Sequence, residues 1–373
     1  LVTMTVNPDP VRAGELLKAA ATVTNRGDEA KTFDVLLTLP LGMTRIPQAA
    51  QGSNVSNDGA CDSACDPRDV VRWSVVDLQP GESELFWMRS GVLTGGAGAR
   101  DEGFLITYDA EVRGTDGAPV LASGATRIRT DRLLNLRVDA SAHPTDEGEQ
   151  LTYTIHYANQ SGGDLSPVVL TFTPSENAPL PGGGNRTVNL GTMSDGAGGI
   201  EVVTVDVGEP LPPGSQLEAV TEISVTGNPD SKTRAVNQTP VGPSNVVASV
   251  EVTPTSALPL ATLLVTVTVE NTGSATEVVD LLLTLPIGMN RVAPADISGG
   301  GECDSACDPQ DVVRWEDLIL AGGETRVFTI ESDILAGGVV SRPPGFLVSY
   351  DADVRVSGAP PVWSGDAARI EGP

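Results

Sequence analysis

The residues whose types and spacing could do chemistry are few. Four cysteines form two pairs in one local sequence, Cys61-Asp-Ser-Ala-Cys65-Asp-Pro67 and Cys303-Asp-Ser-Ala-Cys307-Asp-Pro309. Four cysteines permit three connectivities, and because each copy of the segment carries its own pair, Cys61 with Cys65 and Cys303 with Cys307 are the expected disulfides. A redox pair would have two intervening residues and a helix N-terminus to lower the thiol pKa. Zinc would want four close ligands, and each segment offers two sulfurs and no neighbouring histidine. Disulfides require an oxidising compartment. The same loops are acidic, with Asp62, Asp66 and Asp69 in one and Asp304, Asp308 and Asp311 in the other. Carboxylates spaced along a turn could gather the six to eight oxygens that calcium takes, so these six are calcium candidates. The competing reading is that they cap turns beside Pro67 and Pro309. The loops lack the glycine and terminal glutamate of an EF-hand. No cofactor is required by any of this.

Only two histidines occur, His143 and His156, which leaves little material for imidazole catalysis. His156 alternates with Thr152, Thr154 and Ala158 and reads as facing water; His143 precedes Pro144 in a turn. Neither has a readable nucleophile partner, and no catalytic residue is assigned. The glycine clusters at 95–98, 182–184 and 196–199 lack the lysine and following helix of a phosphate cradle and read as loops. No two acids stand out as a glycosidase pair. Trp73 and Trp315 sit on alternating strands as core residues, whereas Trp87 and Trp363 are the candidates for exposed, sugar-stacking aromatics. Asn54, Asn159, Asn185 and Asn237 open N-x-Ser/Thr matches.

The elements that must position these residues are strands. The 41 glycines and 28 prolines are spread along all 373 residues and interrupt short runs rich in Val, Leu and Thr. Phe33 to Leu39, Leu263 to Val269 and Phe104 to Val112 alternate with a period of two, giving one apolar face each. No run approaches the ~20 apolar residues of a membrane helix, so no membrane span is expected in this segment. Acidic residues outnumber basic ones 49 to 23, a net charge of −26 that repels nucleic acid and anionic lipid. Leu1 to Val6 already reads as a strand, as though the sequence began inside a longer or processed chain.

The strongest signal is internal repetition. Phe33 to Pro40 returns as Val279 to Pro286, the cysteine segments match, Trp73 matches Trp315, and Tyr108-Asp-Ala-Glu-Val-Arg113 matches Tyr350-Asp-Ala-Asp-Val-Arg355. A more divergent unit lies between, sharing the order Pro8/Pro144/Pro254, Asn25/Asn159/Asn271 and Pro40/Pro174/Pro286. The expectation is an all-β protein of three tandem immunoglobulin-like β-sandwich domains over 1–130, 131–243 and 244–373, the middle one without cysteine.

The order Pro8, Gly14, Val23-Thr-Asn25, Leu37-Thr-Leu-Pro40, Trp73, Leu78-Gln-Pro-Gly81 and Val112 resembles the immunoglobulin-like "conserved repeat" domain, of unknown function, found in tandem in large bacterial and archaeal surface proteins. The middle unit is similar through Tyr153-Thr-Ile, Leu170-Thr-Phe-Thr-Pro174 and Asn189-Leu-Gly191. The resemblance implies extracellular or cell-surface display and brings no catalytic residues; the Cys-x3-Cys loops are outside its usual pattern. The expected function is therefore non-enzymatic: an extracellular structural segment of a surface stalk, adhesin or self-assembling filament, its partners being other copies of itself or neighbouring surface-protein domains. The alternative is a non-catalytic glycan- or calcium-binding accessory module of a larger secreted protein.

Overall fold

A computed structural model describes residues 1–46, 54–56, 59–61, 64–96, 98–114, 118–129, 133–212, 215–303, 307–309, 311–336, 342–356 and 362–372. Regular structure among them is almost wholly β. No helix there is long and apolar enough to cross a membrane. Two compact units separate: Leu1–Arg132 with Leu211–Gln216 and Thr233–Gln238, and Leu133–Pro210 with Leu217–Lys232 and Thr239–Pro373.

In the first unit a three-stranded sheet, Val2–Asn7, Leu16–Thr24 and Ser83–Gly91, faces a four-stranded one. The latter runs Val70–Leu78, Lys31–Thr38, Leu105–Gly114, Val120–Arg127 in spatial order. One core takes side chains from both sheets, among them Leu17, Ala19 and Phe86 from the first and Val35, Leu37, Trp73, Ile106 and Tyr108 from the second. The alternating stripes read from the sequence point into this core, which is what a sandwich requires. Phe104, at the end of its stripe, is exposed.

The same three-plus-four arrangement recurs over 134–240, from Gly198–Asp206, Gln150–Asn159 and Leu134–Ala140 beside Arg186–Met193, Leu165–Thr173, Gln216–Val225 and Asn228–Pro240, and all of it but Leu211–Gln216 and Thr233–Gln238 belongs to the second unit. After it come Val246–Thr253, Thr262–Asn271 and Thr325–Asp333. Their partner sheet has Val312–Leu320, Glu277–Thr284, Leu347–Val356 and Val362–Ile370 at its centre, extended at its edges by Glu302–Cys303 and Ser256–Ala257. Leu263, Val265, Val267 and Val269 are buried in the core these two sheets share.

Two local devices explain recurrent residues. Asn159 and Asn271 each end a strand, Asn25 directly follows one, and all three are buried. Each side-chain amide donates twice to backbone carbonyls: Asn25 to Glu29 (2.8 Å) and Leu78 (2.9 Å), Asn159 to Gly163 (2.7 Å) and Met193 (2.8 Å), Asn271 to Ala275 (2.7 Å) and Leu320 (3.0 Å). Each side-chain oxygen also accepts an N–H two residues on, from Gly27, Ser161 and Gly273. The asparagine thus ties a strand end, its following turn and a distant strand together. Trp73 and Trp315 likewise donate their indole N–H to the carbonyls of Ser56 and Ser298. Their rings lie flat enough on the adjoining loop that a Cβ on Gly59 or Gly301 would come within 2.3 or 2.4 Å of them, so only glycine fits.

Candidate functional site

The structure joins Cys61 to Cys65 and Cys303 to Cys307, with Cα atoms 5.5 and 5.3 Å apart. Cys65 and Cys307 are buried against the cores of their sandwiches. Cys65 exchanges backbone hydrogen bonds with Ile46 (3.0 and 2.9 Å), and the Cys307 carbonyl accepts from Val292 (3.0 Å). Each disulfide therefore anchors a surface loop to the rim of a core.

Of the acidic residues beside them, Asp62 and Asp304 lie outside the described residues. Asp69 and Asp311 close turns: the Asp66 N–H donates to Asp69 Oδ2 and the Asp308 N–H to Asp311 Oδ2, both at 2.9 Å. The return bonds, from the Asp69 and Asp311 N–H to the Asp66 and Asp308 carbonyls, measure 2.8 and 3.0 Å. Asp66 also faces Arg45 at 3.4 Å in an exposed pair. Among the described residues no three His, Cys, Asp or Glu side chains gather as a metal would need. The Asp69 and Asp311 carboxylates thus serve the turns that Pro67 and Pro309 begin, while Asp66 and Asp308 contribute backbone groups to them.

The histidines and two of the tryptophans stand elsewhere than the sequence suggests. His156 is not at the water surface: it is 2% exposed and pairs with Asp366, Nε2 to Oδ1 2.9 Å. Strand alternation separates two faces but does not reveal that the second is covered by other strands of the same unit. His143 is buried too, set edge-on to the Trp363 ring, centroids 6.5 Å apart. Trp363 is half-buried, and Trp87 is buried with Lys18 and Arg89 over its ring at 5.0 and 5.6 Å. Neither tryptophan presents the open platform that sugar stacking needs. Asn159, one of the four glycosylation matches, is buried with both amide hydrogens committed.

Around His156 lies a polar cluster that sequence reasoning missed. It sits where Leu134–Ala140 and Gln150–Asn159 meet Leu347–Val356 and Val362–Ile370, inside the second unit. Arg137 makes a two-pronged pair with Asp139 (2.6 and 2.7 Å) and reaches Asp351 Oδ1 (2.9 Å) and the Tyr350 carbonyl (3.3 Å). The guanidinium lies so close to Gly365 that a Cβ there would be 2.0 Å from its Nη2. Asp366 takes His156 on one oxygen and the Val252 N–H on the other (2.7 Å). Arg369 donates to the Gly196 carbonyl, and Ala158, Leu347 and Ala367 fill the apolar space between.

Burial pulls Arg137 toward neutrality, but the charges of Asp139 and Asp351 and their hydrogen bonds outweigh it and hold its pKa above the usual arginine value. Burial likewise raises Asp366, yet the hydrogen bond from His156, the Val252 N–H, the His156 charge and the Ala367 N–H together bring its pKa below the ordinary carboxylate value. Such desolvated pairs fix orientation, since breaking one partner leaves a buried charge. What this arrangement does chemically is clamp two strands of one sheet, Leu134–Ala140 and Gln150–Asn159, to two strands of another, Leu347–Val356 and Val362–Ile370, inside the second unit. The only sequence signal for it was an arginine and a histidine placed, by alternation, on one face of paired strands.

No protein-family profile and no curated protein sequence matches the chain. Among solved structures, similarity extends to Escherichia coli alpha-2-macroglobulin in its native conformation, at 13% identity over 99% of this chain and 23% of that one, with a TM-score of 0.24. It extends also to a Corynebacterium diphtheriae protein provisionally described as membrane-anchored (9%, 99% and 91%, TM-score 0.26) and to red sea bream transglutaminase (11%, 65% and 31%, TM-score 0.24). The chain spans about a quarter of the macroglobulin chain. Superpositions this loose carry no argument about activity.

Proposed function

We propose that this chain is a non-enzymatic, extracellular structural protein: three tandem immunoglobulin-like sandwiches, over 1–130, 131–243 and 244–373, serving as a segment of a surface stalk, adhesin or filament of the "conserved repeat" kind. The observation that carries the reading is the clamp around Arg137 and His156. Desolvated pairs that fix how neighbouring sheets meet suit a rigid structural segment better than a string of independently moving binding modules. The three-plus-four strand arrangement, recurring in chain order with the same asparagine tie, supports the threefold division. The two disulfides support an oxidising location. The net charge of −26 suits a soluble, displayed surface.

Display is tested by treating intact host cells with a membrane-impermeant amine-reactive biotin. Lys31 and Lys232 are exposed and accept it. Labelling before lysis is the expected result; labelling only after lysis refutes display.

A further inference from the structure

The four N-x-Ser/Thr matches sit in different surroundings, and three of them are closed. Asn159 is buried, its amide given to the Gly163 and Met193 carbonyls. Asn54 is half-buried, with its Oδ1 accepting from Arg89 Nε (3.3 Å). The Ser56 hydroxyl of the same match is buried and accepts the Trp87 N–H (2.8 Å). Asn237 is half-buried within the strand Asn228–Pro240, and Thr239 two residues on is buried. Its chain neighbours are engaged as well: the Val236 carbonyl accepts from Asn7 (3.2 Å), and Gln238 Oε1 accepts from Thr3 and Thr22 (both 3.4 Å).

Asn185-Arg-Thr187 is open. Asn185, Arg186 and Thr187 are all exposed. They lead from a glycine turn into Arg186–Met193, an edge strand paired with Leu165–Thr173 on one side. Gly182, Gly183 and Gly184 hold φ values of 97, 75 and 76°, a run that glycine adopts without strain. A Cβ at any of the three would meet nothing within 4 Å, so the turn stands clear of the sandwich. Arg186 reaches across to Glu201 (3.1 Å), and strand alternation puts Thr187 on the side away from it, toward water. Among the described residues neither the Asn185 carboxamide nor the Thr187 hydroxyl is held in a hydrogen bond. These are the two side-chain groups that define an N-glycosylation acceptor, and nothing has to be broken to present them.

We infer that Asn185 is the site at which this chain carries an N-linked oligosaccharide. The co-reactant is an oligosaccharide joined through diphosphate to a polyisoprenoid lipid, and the catalyst is a membrane-bound transferase of the host. The Asn185 amide nitrogen attacks C1 of the first sugar. An N–C bond forms as the C1–O bond breaks, the lipid diphosphate leaves with the electron pair, and the amide proton passes to a base of the transferase. Thr187 is a positioning residue, its hydroxyl being the group the transferase reads beside the asparagine. The inference rests on the extracellular reading, because such transfer takes place on the far side of the membrane from the cytosol.

Mass spectrometry of the full chain taken from its host, digested with a protease that spares Arg186, tests this. The expected result is an Asn185 peptide carrying a mass that fragments to sugar ions, with the peptides of Asn54, Asn159 and Asn237 bare. Asn185→Gln and Thr187→Ala, each expressed in the host, lose the glycan entirely, whereas Thr187→Ser keeps it. Unchanged β circular dichroism shows that these exposed substitutions leave the fold intact. A bare Asn185, a glycan that survives Thr187→Ala, or sugar on Asn54, Asn159 or Asn237 overturns the inference. Bare protein that is nevertheless labelled by the biotin reagent on intact cells refutes the acceptor site alone; bare protein labelled only after lysis refutes display as well.

Discussion

Asn271→Ala removes three buried hydrogen bonds at once: two donated to the Ala275 and Leu320 carbonyls and one accepted from the Gly273 N–H. A buried hydrogen bond contributes about 0.5–1.5 kcal/mol net, so the loss should total about 3 kcal/mol. One feature pushes the value up: the Leu320 carbonyl lies on a strand far along the chain, so no local turn can replace its partner. Urea unfolding followed by circular dichroism measures the change as a shift in midpoint at unchanged slope. Asn185→Ala, at an exposed position, is the control and should fall within about 0.5 kcal/mol of the parent. If Asn271→Ala costs no more than Asn185→Ala, the asparagine tie does not hold strand ends together and its recurrence in the repeats has another cause.

Replacing Cys61 and Cys65 by serine should leave the β circular dichroism intact and lower stability by about 2 kcal/mol, the chain-entropy value for so short a loop; loss of folding would contradict the staple role. Arg137→Met strands Asp139 and Asp351 together and should cost about 3–5 kcal/mol by denaturant titration, whereas a near-neutral result would mean the cluster is hydrated and not a clamp. Asp366 has a folded pKa below its unfolded value of about 3.9, so its contribution is present above that pH and disappears as pH falls through the folded value. Asp366→Asn should therefore flatten the acid limb of a stability-against-pH curve; an unchanged limb contradicts the assignment. If Asp69 and Asp311 serve only the turn N–H groups they accept, millimolar calcium leaves the melting temperature unchanged; a rise would show that the acidic loops bind calcium.

Much of the fold was legible because its signals are local. Period-two runs such as Leu263 to Val269 mark a buried face without any knowledge of the partner sheet, and the repeated Cys-x3-Cys segment presents its own pairing. The asparagine ends were visible as repetition, but their cause was not, since the carbonyls they hold lie on strands distant in sequence. The clamp was invisible for a related reason. Arg137, Asp351 and Asp366 come together only when two sheets far apart in sequence meet inside the second unit, and alternation assigns His156 to a face without saying whether water or protein covers it. Trp87 failed in the same way: an aromatic opposite a core stripe is exposed only if no loop or basic side chain lies over it.

The account depends most on sandwiches stapled outside the reducing cytosol. Protein taken directly from its host, alkylated without reductant and digested, should yield peptides in which Cys61–Cys65 and Cys303–Cys307 are each closed and carry no alkyl group. Four alkylated cysteines in that material would contradict it.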